Sequence, residues 1–225
     1  MGYFPDNNNS LCIYEAPKTG GSTLRGWIFF NYYNQELPLA NKIYKKSNYY
    51  FYEPSIIDKI EAIGYRNESF FPFQEFTNIC LVRPVVERFV SCYIDKIVYE
   101  NNWRNLNLKS IYDIDAFIDI VENNFISHFK NPNNTDHRKK FLVYHFAPLT
   151  YHYGIDSSIY NEIFSTSNIS SDYGLKGYLE RIWKKKLPDI HARKQDPHTT
   201  INLNLYQKNR IEEIYSIDYD SGYFM

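Results

Sequence analysis

The feature that most constrains the fold is a short apolar run that leads through a glycine-containing turn into an amphipathic segment. Residues 10–16 (SLCIYEA) are mostly apolar and lie between polar residues, which is typical of a buried strand. Residues 22–34 (STLRGWIFFNYYN) carry apolar residues at helical spacing and are predicted to form a helix. Ser22 or Thr23 is expected to cap its first turn, and Gly26 is expected to allow close packing. The sequence therefore predicts a strand–loop–helix unit.

A second strand and helix follow the first pair. Residues 77–83 (TNICLVR) are predicted to form another buried strand, and residues 84–100 a helix with Pro84 in its first turn, where the missing N–H costs nothing. Strands that alternate with helices are typical of an α/β domain with a parallel sheet. Three further segments are predicted: a third strand or extended segment over 141–149, and helices over 173–186 and 203–219. Because no repeat and no clear boundary is visible, a single domain over 1–225 is expected.

Charge and apolar patterning exclude several classes of partner. The formal net charge is −1, whereas a general nucleic-acid binder would show a basic excess, so an anionic ligand must be met by local charge. No apolar run approaches the ~20 residues of a membrane span, and no basic region precedes an apolar core at the start. A cytoplasmic location, in a bacterium or a virus-infected cell, is therefore expected. Cys12, Cys80 and Cys92 show neither metal-ligand spacing nor a disulfide framework, and the first two are expected to be buried.

The loop between the first strand and helix contains the groups that an anion requires. A helix N-terminus attracts phosphate or sulfate through its free N–H groups and its dipole. The loop adds three kinds of group, namely the charge of Lys18, the hydroxyls of Thr19, Ser22 and Thr23, and the side-chain-free backbone of Gly20 and Gly21. A triphosphate loop reads G-x-x-x-x-G-K-[ST], with lysine after the glycines. Because Lys18 precedes the glycines here, the usual triphosphate motif is not matched.

Two segments together resemble a known family. Residues 17–22 (PKTGGS) resemble the 5′-phosphosulfate loop of sulfotransferases that use 3′-phosphoadenosine 5′-phosphosulfate (PAPS). Residues 81–93 (LVRPVVERFVSCY) resemble the family's 3′-phosphate segment, commonly L-x-R-D-P-x-x-R-x-x-S-x-Y. Arg83 and Ser91 keep the required spacing, and Arg88 takes the second arginine position. The family's Asp-Pro is Pro-Val here, so the Asp side chain that would organise the helix start is absent.

The C-terminal part carries a third resemblance. The segments LPDIHARKQ (187–195) and IEEIYSIDYDSGYF (211–224) are similar to the end of carbohydrate-type sulfotransferases, although His191 stands where Asn is usual. Arg193 and Lys194, which follow Leu187 and Pro188, are expected to reach the adenosine 3′-phosphate or a sulfated product. The three matching blocks cover about a third of the chain, and the middle, which should select the acceptor, is not covered.

The resemblance implies a fold, a reaction and site residues. The fold would be a P-loop-NTPase-like three-layer α/β fold with a central parallel sheet flanked by helices. PAPS would be the donor, 3′-phosphoadenosine 5′-phosphate (PAP) the product and a hydroxyl of a carbohydrate or small molecule the acceptor, without a metal. Lys18 would meet the charge on the leaving phosphate. The general base of related carbohydrate enzymes is His or Glu, and no His occurs between residues 1 and 127, so Glu53 is the first candidate and His145 the second.

Two other functions remain open at this point. A nucleotide or small-molecule kinase would need a Mg²⁺ ligand and a lysine after the glycines. A non-catalytic nucleotide- or glycan-binding module would keep the loop and lack a base. Neither the acceptor nor the oligomeric state follows from the sequence.

Overall fold

The computed structural model describes residues 2–35, 74–125, 137–190 and 200–224. The strands are β1 (Gly2–Asp6), β2 (Leu11–Glu15), β3 (Thr77–Val82) and β4 (Glu162–Ser165). The helices are α1 (Gly21–Tyr33), α2 (Val85–Cys92), α3 (Asn102–Asn105), α4 (Ile114–Ile120), α5 (His137–Phe146), α6 (Leu149–Tyr153), α7 (Leu175–Trp183), α8 (Leu205–Ile214) and α9 (Ser216–Asp220). Helix α2 continues as a π-helical segment over Tyr93–Tyr99. The helices predicted over 84–100, 173–186 and 203–219 are thereby confirmed.

The chain divides into two compact units. Unit 1 comprises Met1–Arg83 and Ser158–Gln195, and unit 2 comprises Pro84–Ser157 and Asp196–Met225. Unit 1 contains the strands together with α1 and α7, and unit 2 contains the other helices. The single domain expected from the sequence stays a prediction.

The sheet of unit 1 is mixed. Within the described residues its order is β1-β2-β3-β4, with β2, β3 and β4 parallel and β1 antiparallel to β2. The α/β class is thus confirmed, but the prediction of a parallel sheet was wrong, because the sheet is mixed. The difference arises at β1, which returns onto β2 through a short 3₁₀ turn (Asn7–Asn9) and a left-handed Ser10. A hairpin connection of this kind can join only antiparallel strands.

The core of unit 1 fills one face of this sheet. Apolar side chains from all four strands lie on that face, with Leu24 and Trp27 of α1 among those packed on them. Gly26 is buried, and a Cβ there would lie 2.6 Å from the Ile190 side chain, so the predicted close packing is confirmed. The predicted cap was wrong. Helix α1 begins after Gly20, whose φ of 89° no β-branched residue adopts easily, so the N-cap position is occupied by a residue without a side chain.

The core of unit 2 is an aromatic cluster between helices. Phe89, Tyr93, Phe117 and Phe146 are buried, and the rings of Phe117 and Phe146 are 4.9 Å apart. The strand or extended segment predicted over 141–149 was wrong, because this stretch forms the end of α5 and the start of α6. A short apolar run fits a buried helix as well as a buried strand, and here the helical arrangement brings Phe146 into the cluster.

The cysteines behave as small apolar residues. All three are buried and form no disulfide with one another, which confirms the predicted burial of Cys12 and Cys80. Burial raises the pKa of the Cys12 thiol to about 12, although a hydrogen bond involving Tyr14 acts in the opposite direction. At neutral pH this thiol therefore stays protonated and is a poor nucleophile.

Candidate functional site

The candidate loop lies where three parallel strands end. Strands β2, β3 and β4 are in register, with Glu15 opposite Leu81 and Leu81 opposite Phe164, so their carboxyl ends share one edge of the sheet. The loop that contains Lys18 follows β2, and Arg83 follows the neighbouring β3. Adjacent strands are about 4.8 Å apart. The two basic residues predicted to bind the ligand therefore leave neighbouring strand ends of the same unit.

Thr19 closes the loop from inside. Its side chain is buried, its hydroxyl donates to the Ala16 carbonyl at 2.8 Å, and the same hydroxyl accepts from the Ala16 N–H at 3.0 Å. Its own N–H also donates to the Ala16 carbonyl at 3.2 Å. Through these bonds Thr19 fixes the conformation of the turn, so its hydroxyl contributes to the site by holding its neighbours in place.

The residues on either side of Thr19 have left-handed backbone conformations. Gly20 has φ of 89°, and Lys18, which carries a Cβ, has φ of 67°. Such a conformation costs an L-residue about 1–2 kcal/mol. Strained positions of this kind cluster at functional sites, where the surrounding structure holds them. The strain at Lys18 is therefore an independent reason to examine this loop.

A carboxylate of the chain itself lies at the N-terminus of α1. Glu15, the last residue of β2, is 5% exposed, and its carboxylate forms an ion pair with the Arg25 guanidinium in α1. A Cβ added at Gly21 would overlap this carboxylate. The sequence analysis explained Gly21 by the approach of a ligand anion. The structure supplies a different reason, because the anion beside Gly21 is Glu15.

This contact gives a prediction for Gly21. Replacing Gly21 with alanine should displace the Glu15 carboxylate from its buried position and lower the free energy of unfolding by about 1–3 kcal/mol, as expected for overpacking. Chemical denaturation of the single variants and of the double variant Gly21→Ala/Glu15→Ala would measure the coupling. The loss from Gly21→Ala should largely disappear once Glu15 is shortened. Additive losses would contradict the proposed overlap.

The segment after β4 covers the other side of the loop. A Cβ at Gly20 would lie 3.3 Å from Thr166 Cγ2 and 3.0 Å from Ile169 Cδ1. The hydroxyl of Thr166 is buried and has no hydrogen-bond partner among the described residues. Glu15 and Thr166 are neighbours of the loop that no sequence motif indicates. The contacts of the Glu15 side chain with Gly21 and Arg25 show that it faces α1.

Arg88 and Asp218 form the main polar contact of unit 2. Arg88 is 2% exposed and donates to the Ala147 carbonyl at 2.7 Å, and its guanidinium lies 3.9 Å from the Asp218 carboxylate. Asp218 is fully buried and accepts the N–H groups of Leu149 and Thr150, each at 2.9 Å. Arg88 therefore binds a carbonyl group of the turn between α5 and α6, and Asp218 binds N–H groups of the same turn.

Two further side chains complete this arrangement. Tyr215 donates its hydroxyl to the Phe146 carbonyl at 2.7 Å, and the Cys92 thiol donates to the His145 carbonyl at 3.1 Å. The four side chains Arg88, Cys92, Tyr215 and Asp218 are called the turn clamp below. They come from the second and third resembling blocks, which meet in unit 2 at this turn. The clamp satisfies backbone groups that would be costly to bury unpaired.

The other predicted residues of unit 2 lie on α2 and α5. Ser91 is half-buried on α2, one residue before Cys92 of the clamp. His145 is half-buried near the end of α5, with its ring 5.6 Å from that of Tyr144. The turn clamp thus fixes the backbone at His145. The positions of Glu53, His191 and Arg193 lie outside the described residues.

His152, which no sequence motif indicates, is more buried than His145. His152 in α6 is buried, and its Nε2 has no hydrogen-bond partner among the described residues. Burial, followed by the charge of Arg88, holds the pKa of His152 well below its usual value of 6.5. His152 is therefore neutral in the folded protein at neutral pH.

The depressed pKa of His152 predicts a loss of stability in acid. The unfolded chain takes up a proton near pH 6.5 and the folded chain does not, so stability is full above that pH and falls as the pH drops below it. The slope contributed by this single proton approaches about 1.4 kcal/mol per pH unit. Unfolding by urea at pH 7.5, 6.5 and 5.5 should show a smaller dependence on pH in His152→Gln than in the wild type. An unchanged dependence would refute the assignment.

Comparisons with protein-family models, with curated proteins and with solved structures gave no match. Across the described ranges, no group of three or more His, Cys, Asp or Glu side chains is arranged to hold a metal ion. In the same part of the chain, none of the helices has the length and apolar character needed to cross a membrane. The geometry of the loop and of the turn clamp is therefore the basis for any assignment of function.

Proposed function

We propose that this chain is a sulfotransferase that moves a sulfuryl group from PAPS to a hydroxyl of a carbohydrate or small molecule. The observation that carries the proposal is the placement of Lys18 and Arg83 after neighbouring parallel strands, at one edge of the sheet of unit 1. Ligands of α/β sheets bind at the carboxyl ends of the strands. This placement supports the resemblance of residues 17–22 and 81–93 to the two cofactor segments, and with it a P-loop-like fold.

The proposed roles follow from the charge of the donor. The 5′-phosphosulfate would lie at the loop, where Lys18, the N–H groups at the head of α1 and the hydroxyls of Ser22 and Thr23 would hold it. Arg83 would meet the 3′-phosphate from the neighbouring strand end. A guanidinium suits this task because it can donate two parallel hydrogen bonds to a phosphate. The role of Ser91 at the 3′-phosphate stays a prediction from the resemblance, and Arg193 stays a candidate for the 3′-phosphate or a sulfated product.

The proposed reaction is an in-line displacement at sulfur. The acceptor oxygen forms a bond to sulfur while the bond between sulfur and the bridging oxygen breaks, and that electron pair stays on the 5′-phosphate of PAP. The proton of the acceptor hydroxyl passes to a general base, for which Glu53 and His145 are both candidates. The protein contributes mainly position and charge stabilisation, as in phosphoryl transfer. Lys18 is the residue proposed to stabilise the charge that develops on the leaving phosphate.

A kinase and a non-catalytic binding module are the alternatives. This chain lacks the lysine that a kinase loop usually carries after its glycines. In addition, the backbone around Gly20 is packed against Thr166 and Ile169. A binding module would share every feature of the loop and differ only in turnover. Binding and turnover must therefore be measured separately.

Titration calorimetry with PAP and with ATP tests the binding step. PAP should bind at least tenfold more tightly than ATP, because only PAP carries the 3′-phosphate that Arg83 is proposed to meet. Equal or tighter binding of ATP would favour the kinase. Labelled PAPS offered with a panel of sugars and small hydroxyl compounds tests the transfer step. Tight binding of PAP without transfer to any acceptor would favour the binding module.

A further inference from the structure

We infer that Glu15 determines the specificity of the proposed site, as a resident carboxylate that competes with the 5′-phosphate of the nucleotide and favours release of the desulfonated product. The inference rests on the proposed function. It concerns one residue that neither the sequence motif nor the resemblance assigns to the ligand.

The geometry places the carboxylate of Glu15 at the anion-binding end of α1. Cα–Cβ bonds in a helix tilt toward its N-terminus, so the space left free by Gly21 opens toward that end. The Glu15 carboxylate fills this space. An anion held by the first N–H groups of α1 would therefore lie beside an existing negative charge.

Arg25 holds the resident carboxylate in place. The two side chains form an ion pair in which the carboxylate is the more buried partner, at 7% exposure against 24% for Arg25. The helix dipole also favours a negative charge at this end. A second anion would therefore meet Glu15 at the loop, and Arg25 reduces the repulsion between the two without removing it.

The proposed reaction changes the charge that faces Glu15. In the donor the phosphate is linked to sulfate and carries one negative charge. After transfer the electron pair of the broken bond remains on the 5′-phosphate, a monoester with a second pKa near 6 and a charge of about −1.5 to −2 at pH 7. A carboxylate beside this phosphate repels the phosphate of the product more than the phosphate of the donor, because the charge on the phosphate itself has risen.

The affinity of PAP for Glu15→Gln tests the inference. A like charge at about 4–6 Å typically changes an ionisation equilibrium tenfold or more. Glutamine keeps the size and a hydrogen bond to Arg25, so Glu15→Gln should bind PAP about tenfold more tightly, equal to about 1.4 kcal/mol. Calorimetry with adenosine 3′-phosphate, which lacks the 5′-phosphate, should show no change. Glu212→Gln makes the same change of charge at an exposed position of unit 2 and should leave both affinities unaltered.

The possible outcomes separate this inference from the proposed function. If the wild type binds PAP and Glu15→Gln binds it equally or less tightly, Glu15 is not a competitor and the inference falls while the sulfotransferase proposal stands. If neither protein binds PAP, the proposed function fails as well. If Glu15→Gln does not fold, the affinities of the wild type for PAP and for adenosine 3′-phosphate decide the matter. PAP should then bind less than about tenfold more tightly than adenosine 3′-phosphate, and binding more than about 100-fold tighter would overturn the inference.

Discussion

Replacing Lys18 with alanine is expected to lower the turnover of PAPS by roughly 10²–10³-fold. The loss of one preorganised group that stabilises a developing charge costs about 2.7–4 kcal/mol in known cases. Alanine is the suitable replacement because Lys18 has a left-handed backbone with φ of 67°, and both residues carry a Cβ that is strained there. The change therefore removes the charge without altering the preference of the backbone. Turnover of labelled PAPS and thermal unfolding would be measured on the same preparation.

Two further variants serve as controls for this experiment. Lys208→Ala removes a lysine at an exposed position of α8 and should retain wild-type turnover. Lys18→Gly removes the same charge while relieving the left-handed strain, so it should lose as much turnover without losing stability. Full activity of Lys18→Ala would remove Lys18 from the site, and with it the main chemical role assigned to the loop.

Replacing Asp218 with alanine is expected to lower the free energy of unfolding by about 3–5 kcal/mol. The change leaves the buried N–H groups of Leu149 and Thr150 without their acceptor and removes the carboxylate nearest to Arg88. An unsatisfied buried donor costs about 1–3 kcal/mol, and breaking a buried charge pair by removing one partner costs about 3–5 kcal/mol. The contributions share one side chain, so they are not summed. Equilibrium unfolding in urea is the appropriate measurement.

Graded and control variants make the result specific. Asp218→Asn retains one acceptor oxygen and should lose less stability than the alanine variant. Asp220→Ala changes an exposed carboxylate in the same helix and should stay within about 0.5 kcal/mol of the wild type. A loss below about 1 kcal/mol in Asp218→Ala would show that water replaces the carboxylate easily. The turn clamp would then be a minor contributor to stability.

The parts of unit 1 that could be predicted from the sequence are those with strong local signals. Strands β2 and β3 each contain a run of four apolar residues, and α1 follows β2 through a loop with two glycines. Strand β1 contains Pro5 and ends at Asp6, and β4 has only four residues and is mostly half-exposed. Such short edge strands are defined by their neighbours rather than by their own composition. The mixed order of the sheet could not be derived for the same reason.

The candidate site shows the same division. Lys18 and Arg83 were identifiable because Lys18 lies two residues after the predicted strand over 10–16 and Arg83 is the last residue of the predicted strand over 77–83. The role of Glu15 depends on its contact with Gly21, and the role of Asp218 depends on backbone groups about 70 residues away in the sequence. The contacts of Asp218 arise from tertiary packing between distant segments, whereas the contact between Glu15 and Gly21 spans six residues and depends on the path of the turn. Neither periodicity nor turn chemistry reveals these two contacts. The segment over 141–149 was misassigned because its apolar residues are satisfied by the aromatic cluster of unit 2.

The division of the chain into units has a consequence for synthesis on the ribosome. Strand β4 pairs with β3, yet residues 83–161 are made between them, and the last part of unit 2 follows only after α7. Closing a loop of this length costs entropy before the pairing contributes anything, and contacts so distant in sequence slow folding. Neither unit is complete while its later segment is still in the exit tunnel. A nascent chain released early would expose the unpaired side of β3, and chaperones would have to shield it until translation ends.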